Sequence, residues 1–231
     1  MYSTHTTADT TATQGQPGGG PSARPASSTR RMLAAGATAG PLFAVVSWLQ
    51  VAATNGFDIT RHALSQLSLG QHGWVQTGTF IVCGTMFLLG AAGLHRVLAG
   101  TRSGRWAPRL LGGFAVSFII AGMFPTDPAH GYPVGTVNGS DPTWHGIVHA
   151  TAGGLGIVLA AVACLLFARL FVTEHRRGPA IASVIVALLM FMPDAYPGPA
   201  GAGYSLALAV TGTLGFIWCS LVAADRLHLA K

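Results

Sequence analysis

Residues 145–171 read HGIVHATAGGLGIVLAAVACLLFARLF, with no acidic residue and no lysine or arginine before Arg169. A helix rising 1.5 Å per residue needs about 20 apolar residues to cross the hydrocarbon core of a bilayer. This run exceeds that length and predicts a membrane-spanning helix. Outward from it, comparable apolar runs occupy 32–54, 73–94, 107–124, 179–193 and 202–224. The runs at 107–124 and 179–193 are short, and proline follows the first at Pro125 and closes the second at Pro193. None of the six carries an acidic or basic residue in its central stretch. The expected fold is an all-α membrane protein with six transmembrane helices in one bundle.

Composition points the same way. Of 231 residues, 50% are hydrophobic and only 9% are charged, against roughly 25% charged in a soluble domain. So little charge cannot cover a water-exposed globule of this size. The net charge of +6 does not imply nucleic acid, because the basic residues form no stripe with interleaved aromatics. They sit between the apolar runs instead. All but Arg61 of the 13 lysines and arginines fall in the N-terminal tail, between the second and third runs, around the fourth-to-fifth connection, or after the sixth. By the positive-inside rule these regions face the cytoplasm. An even number of spans with both termini cytoplasmic, in a cell membrane, follows. The expected partners are membrane lipids; partner proteins and oligomeric state are left open.

The expected organisation is a disordered cytoplasmic tail at 1–31, a membrane domain at 32–225 and a short cytoplasmic tail at 226–231. The first tail is low-complexity Thr, Ser, Gly, Pro and Ala, with little apolar surface to offset its ordering entropy. Val51-Ala52-Ala53 resembles a signal-peptide cleavage site, but the preceding run is longer than a typical h-region of about 7–15 residues, so a retained first helix is the better reading. Cys83, Cys164 and Cys219 lie inside apolar runs and read as packing residues. Gly36-x-x-x-Gly40, with Gly153, Gly154 and Gly156, reads as close helix packing.

The chemistry-bearing residues gather in the connections assigned to the outer side. His145 and His149, four apart, share one helix face, which is ligand spacing for zinc. His62 is the expected third ligand, with Asp127 as the carboxylate nearby. A zinc held by three protein ligands would activate a bound water. Asp127 or Asp58 would orient a ligand or take a proton, and Ser65 would donate to a developing oxyanion. Structural readings compete. Asp127 between prolines suits a tight turn, and Asp141 or Thr143 suits the N-cap of the fourth helix. A transporter usually carries ionisable groups within its spans, and these spans hold only hydroxyls and amides such as Ser47, Gln50, Ser117, Thr151 and Thr211.

Several stretches, taken in order, resemble a known family. They are Arg61-His62-Ala63-Leu64-Ser65-Gln66-Leu67, then Gly73-Trp74-Val75-Gln76, then Phe124-Pro125-Thr126-Asp127-Pro128, then His145-Gly146-Ile147-Val148-His149. Together they resemble the bacterial membrane family catalogued as domain of unknown function 998, over roughly 33–225. The resemblance implies a compact six-helix membrane domain of no established activity. A more distant likeness is to the intramembrane metal hydrolases that include alkaline ceramidases and progestin/adiponectin-type receptors. It would place Ser65, His62, Asp127, His145 and His149 in the site, although those proteins have seven core spans and their Ser precedes their His. Metal-dependent hydrolysis of a lipid or other membrane-accessible substrate is one expectation. The alternative is non-catalytic lipid or solute binding, transport or a structural role. Convergence of His62, Asp127, His145 and His149 favours the first; a vestibule without convergent ligands favours binding.

Overall fold

The computed structural model describes residues 1–2, 24–136, 141–195 and 203–230. Most of the low-complexity tail and residues 196–202 lie outside the described residues. Six long helices follow one another: α1 (Arg24–Ala53), α2 (Gly73–Leu98), α3 (Arg102–Met123), α4 (Trp144–Thr173), α5 (Arg177–Ala195) and α6 (Tyr204–Asp225). A 3-10 helix, Leu64–Leu69, precedes α2. Among the described residues there is no strand, only an isolated bridge between Ala129 and Tyr132.

Five of the helices, all but α5, are long and apolar enough to cross a membrane. The apolar described part of α5 is shorter, Arg177–Met192. The chain is thus a multi-pass helical membrane protein. α1 begins at Arg24, ahead of the apolar run at 32, because Pro25 is tolerated in a first helical turn and the next residues oppose a helix only weakly.

Each helix packs against its successor, and α6 packs back against α1, so the six close into a ring. Phe43, Phe80, Phe87, Phe114, Phe118 and Phe216 fill its middle, with ring centroids from 4.6 Å (Phe80–Phe118) to 6.4 Å (Phe87–Phe118) apart. Such offset and edge-on contacts add about 0.5–1.5 kcal/mol each beyond burial. The outward faces expose Val45, Leu49, Val82, Val116, Ile185 and Leu221. That much apolar surface suits lipid contact and not water.

Small residues set the closest approaches. A Cβ on Gly36 of α1 would lie 2.6 Å from the Cα of Gly90 in α2. One on Gly40 would overlap the backbone of Phe216 in α6. The glycine pair in the first span therefore packs within the chain. Pro41 leaves α1 one backbone donor short. Beside it, the Ser220 hydroxyl accepts from the Gly40 amide at 2.8 Å and donates to the Gly36 carbonyl at 2.7 Å. The hydroxyl thus bridges the neighbouring Gly36–Gly40 backbone pair from α6. The glycines of α4 divide. A Cβ on Gly156 would lie 3.3 Å from the Ser117 Cβ, but one on Gly153 or Gly154 would meet nothing within 4 Å. Close packing, expected at all three, holds only at Gly156. Cys83, Cys164 and Cys219 are buried free thiols.

Candidate functional site

The loop before the 3-10 helix is folded on itself. The Asp58 carboxylate accepts from the Thr60 hydroxyl at 2.7 Å and the Thr60 amide at 3.0 Å. Those two bonds, the hydroxyl first, hold its pKa below the ordinary carboxylate value. His62 is buried. Its Nδ1 accepts from the Asp58 amide at 2.9 Å, and its Nε2 lies 3.2 Å from the His130 carbonyl. A carbonyl only accepts, so the proton sits on Nε2. Arg61 donates to the same carbonyl at 3.2 Å, and Gln66 donates to the Ala129 carbonyl at 3.0 Å. Phe57 and Tyr132 pack on the His62 ring with centroids 5.3 and 5.2 Å away. Burial raises the Tyr132 phenol pKa. His62 thus ties two connections together with both ring nitrogens engaged.

His145 and His149 do share one face of α4, and that face meets the end of α3. His149 Nδ1 lies 2.8 Å from the Ala121 carbonyl and 2.9 Å from that of Phe124. His145 Nδ1 lies 3.1 Å from the Pro125 carbonyl and 2.9 Å from the Thr143 hydroxyl. A helix ends with carbonyls that have no intrahelical partner. Here His149 supplies an Nδ1–H donor to the Ala121 carbonyl of the last turn and the Phe124 carbonyl of the cap, and His145, one turn away, faces the Pro125 carbonyl just beyond. Asp127 completes the junction. Its carboxylate accepts from the Thr143 amide at 3.1 Å and from the Thr143 hydroxyl, and it sits at the N-terminus of α4, where negative charge is favoured. Thr143, not Asp141, is the N-cap, accepting from the Gly146 amide at 3.1 Å. A Cβ at Gly146 would overlap the Asp127 carboxylate and push it off Thr143.

The three histidines expected to converge therefore sit in two separate arrangements. Among the described residues no group of three His, Cys, Asp or Glu side chains is placed to hold a metal ion. The physical reason is competition. Backbone carbonyls and amides beside each histidine claim its ring, and His62 keeps no free lone pair for zinc. As placed, these residues do not fit a zinc centre, and Asp58 and Asp127 fix turns and caps.

Two of the expected residues, Ser65 and His149, do come together on one cavity. It occupies about 400 Å³ among the helices of the ring and opens outward past the exposed Ala150, Gly154 and Val158 of α4. Phe43, Phe80, Phe114, Phe118 and Phe216 form one wall, Ala63, Leu64 and Ser65 of the 3-10 region another, and parts of α4 and α6 with Phe191 of α5 most of the rest. Thr126 and Tyr204 also line it, and sequence reasoning passed over both. Thr126 stood in a quoted motif, hidden by the neighbouring Asp127; Tyr204 offered no signal. Because His149 uses Nδ1–H on α3, its Nε2 is left as an acceptor with no hydrogen-bond partner among the described residues.

No curated protein and no solved structure matches the chain, so nothing there supports the likeness to intramembrane hydrolases. A family model described as Protein of unknown function (DUF998) matches residues 37–225, from within α1 to the last residue of α6. The chain therefore belongs to the membrane-protein family described as Protein of unknown function (DUF998).

Proposed function

We propose that the chain spans a cell membrane six times, with both termini cytoplasmic, and binds the apolar part of a lipid-type amphiphile among the helices of the ring. The observation that carries the binding reading is the cavity of about 400 Å³, walled by phenylalanines and edged by Ser65, Thr126 and His149. Small-molecule sites run from about 300 to 1,000 Å³ and combine apolar walls with a few polar groups. A volume near the low end favours a single chain over a whole diacyl lipid. The His149 Nε2, unpartnered among the described residues, would accept from a hydroxyl or amine on the ligand. Binding is preferred to hydrolysis because the ligands for an activating metal do not gather at the cavity.

Gly153 and Gly212 line this cavity, and a Cβ at either meets nothing within 4 Å. Gly153→Leu and Gly212→Leu would fill the space without a backbone clash. Each also removes a helix-interior glycine, which costs about 0.5–1 kcal/mol relative to alanine. We expect both variants to fold with an unchanged or higher Tm. Binding of a fluorescent long-chain alcohol is expected to weaken by about tenfold or more, equivalent to about 1.4 kcal/mol. Undiminished binding in both folded variants would overturn the reading.

Topology rests on the partition of basic residues. A cysteine at Gly135 is expected to react with an impermeant thiol reagent in intact cells, and one at Ser103 only after lysis. The reverse pattern would reject the orientation, and equal labelling of both would reject the span count.

A further inference from the structure

At the opposite end of the ring a second cleft, of about 500 Å³, opens between the start of α3 and the last turns of α4. Arg102, Ser103, Trp106, Leu110, Leu166 and Arg169 line it. Arg102, Trp106 and Arg169 are exposed. The Arg109 guanidinium lies 5.3 Å from the centre of the Trp106 ring, which fixes that indole at the edge of the cleft.

Charge is unbalanced here. Among the described residues the carboxylates at this end are Glu174 and Asp225, and both are engaged by Arg176 and Arg226. Arg102 and Arg169 have no ion-pair partner among the described residues. Two free guanidiniums thus stand over a floor of leucine and tryptophan. Guanidinium is a planar donor matched to phosphate oxygens. The floor suits an alkyl chain, and an exposed tryptophan suits the level of lipid headgroups.

We propose that this cleft binds one anionic phospholipid of the adjacent leaflet, its phosphate between Arg102 and Arg169 and an acyl chain along Leu110 and Leu166. The apolar floor selects a lipid over free phosphate. The cleft is independent of the first cavity.

The test reads Trp106, one of five tryptophans, as the difference in fluorescence quenching between the native chain and Trp106→Phe. Native protein is reconstituted in phosphatidylcholine vesicles containing a minor fraction of either phosphatidylglycerol or phosphatidylcholine brominated near the headgroup. A basic residue near the surface contributes about 1 kcal/mol toward an anionic lipid, so two arginines predict about a thirtyfold preference for the brominated phosphatidylglycerol. Arg169→Gln is expected to lower it about fivefold on the same basis. Arg102→Gln with Arg169→Gln is expected to abolish it. Arg30→Gln with Arg31→Gln, of equal charge change on α1, is expected to leave it intact. Equal quenching by the two brominated lipids would overturn the proposal. So would a preference that survives the Arg102/Arg169 pair, or one lost equally with the Arg30/Arg31 pair, which would indicate a diffuse field. Loss of the preference on adding inorganic phosphate would assign the cleft to the free anion and overturn the lipid as occupant.

Discussion

Gly40→Ala is expected to destabilise the folded protein by about 3–5 kcal/mol, enough to remove most of it from a detergent extract. The added Cβ would fall on the Phe216 carbonyl, 2.6 Å from its carbon and 2.8 Å from the Ile217 nitrogen. These are backbone atoms and cannot rotate away, so α1 and α6 must separate. Overpacking of this kind costs about 1–3 kcal/mol. Separation also breaks both hydrogen bonds of Ser220, at 2.8 and 2.7 Å, and loosens the Phe43–Phe216 contact at 5.0 Å. Ser220→Ala isolates the polar part. Polar pairs within bilayers average only about 0.6 kcal/mol, so about 1 kcal/mol is expected for the two bonds together. Gly153→Ala, with no neighbour within 4 Å of its Cβ, is the control and should not lower the Tm. Thermal unfolding of the three variants, followed by circular dichroism in one detergent, gives the order. A Gly40→Ala protein as stable as Ser220→Ala would refute the close approach.

The apolar helices were legible because hydropathy reports directly on what lipid tolerates, and five of them are long enough to cross a membrane. The early start of α1 was not, since Arg24 to Arg31 are polar and a hydropathy average passes over them. Ring closure was hidden too: α6 meets α1 through Gly40, and a glycine does not name its neighbour. The same limit governed the site. Four-residue spacing correctly placed His145 and His149 on one face. It could not say that the carbonyls at and just after the end of α3 lie opposite, and those carbonyls took the Nδ1 protons that a metal reading left free. The glycines beside His149 carried the hint that was misread. Gly153 and Gly154 suit close packing or empty space equally well, and only the neighbouring helices decide which. Local chemistry narrowed the α4 cap to Asp141 or Thr143 and marked the cysteines as packing residues without the fold; choosing Thr143 needed the structure.

Arg226→Ala is expected to cost about 2–4 kcal/mol and Arg176→Ala about 1 kcal/mol or less, although the two side chains make similar bonds. Arg226 donates twice to Glu174, at 2.7 and 2.8 Å. Arg176 donates twice to Asp225, at 2.8 and 2.7 Å. Both guanidiniums lie 5.0 Å from the Phe171 ring. The pairs join the α4–α5 connection to the end of α6 and close that end of the ring. Burial separates them: the Arg226 side chain is 5% exposed and that of Arg176 39%. Water screens the outer pair, and exposed pairs contribute about 0–1 kcal/mol. Removing Arg226 leaves Glu174 with a distant partner, Arg176 at 3.7 Å, and opens a gap beside Phe171. Losing one partner of a fully buried pair costs about 3–5 kcal/mol. Glu174 is 29% exposed, which moves the expectation below that range. Arg226→Lys keeps the charge but not the two-pronged geometry and should fall between the wild type and Arg226→Ala. The measurement is Tm in detergent at low and high salt. The Arg176→Ala deficit should shrink toward zero in high salt, while the Arg226→Ala deficit should largely persist, because buried pairs are screened less. Equal deficits with equal salt dependence would show that burial does not distinguish the two arginines.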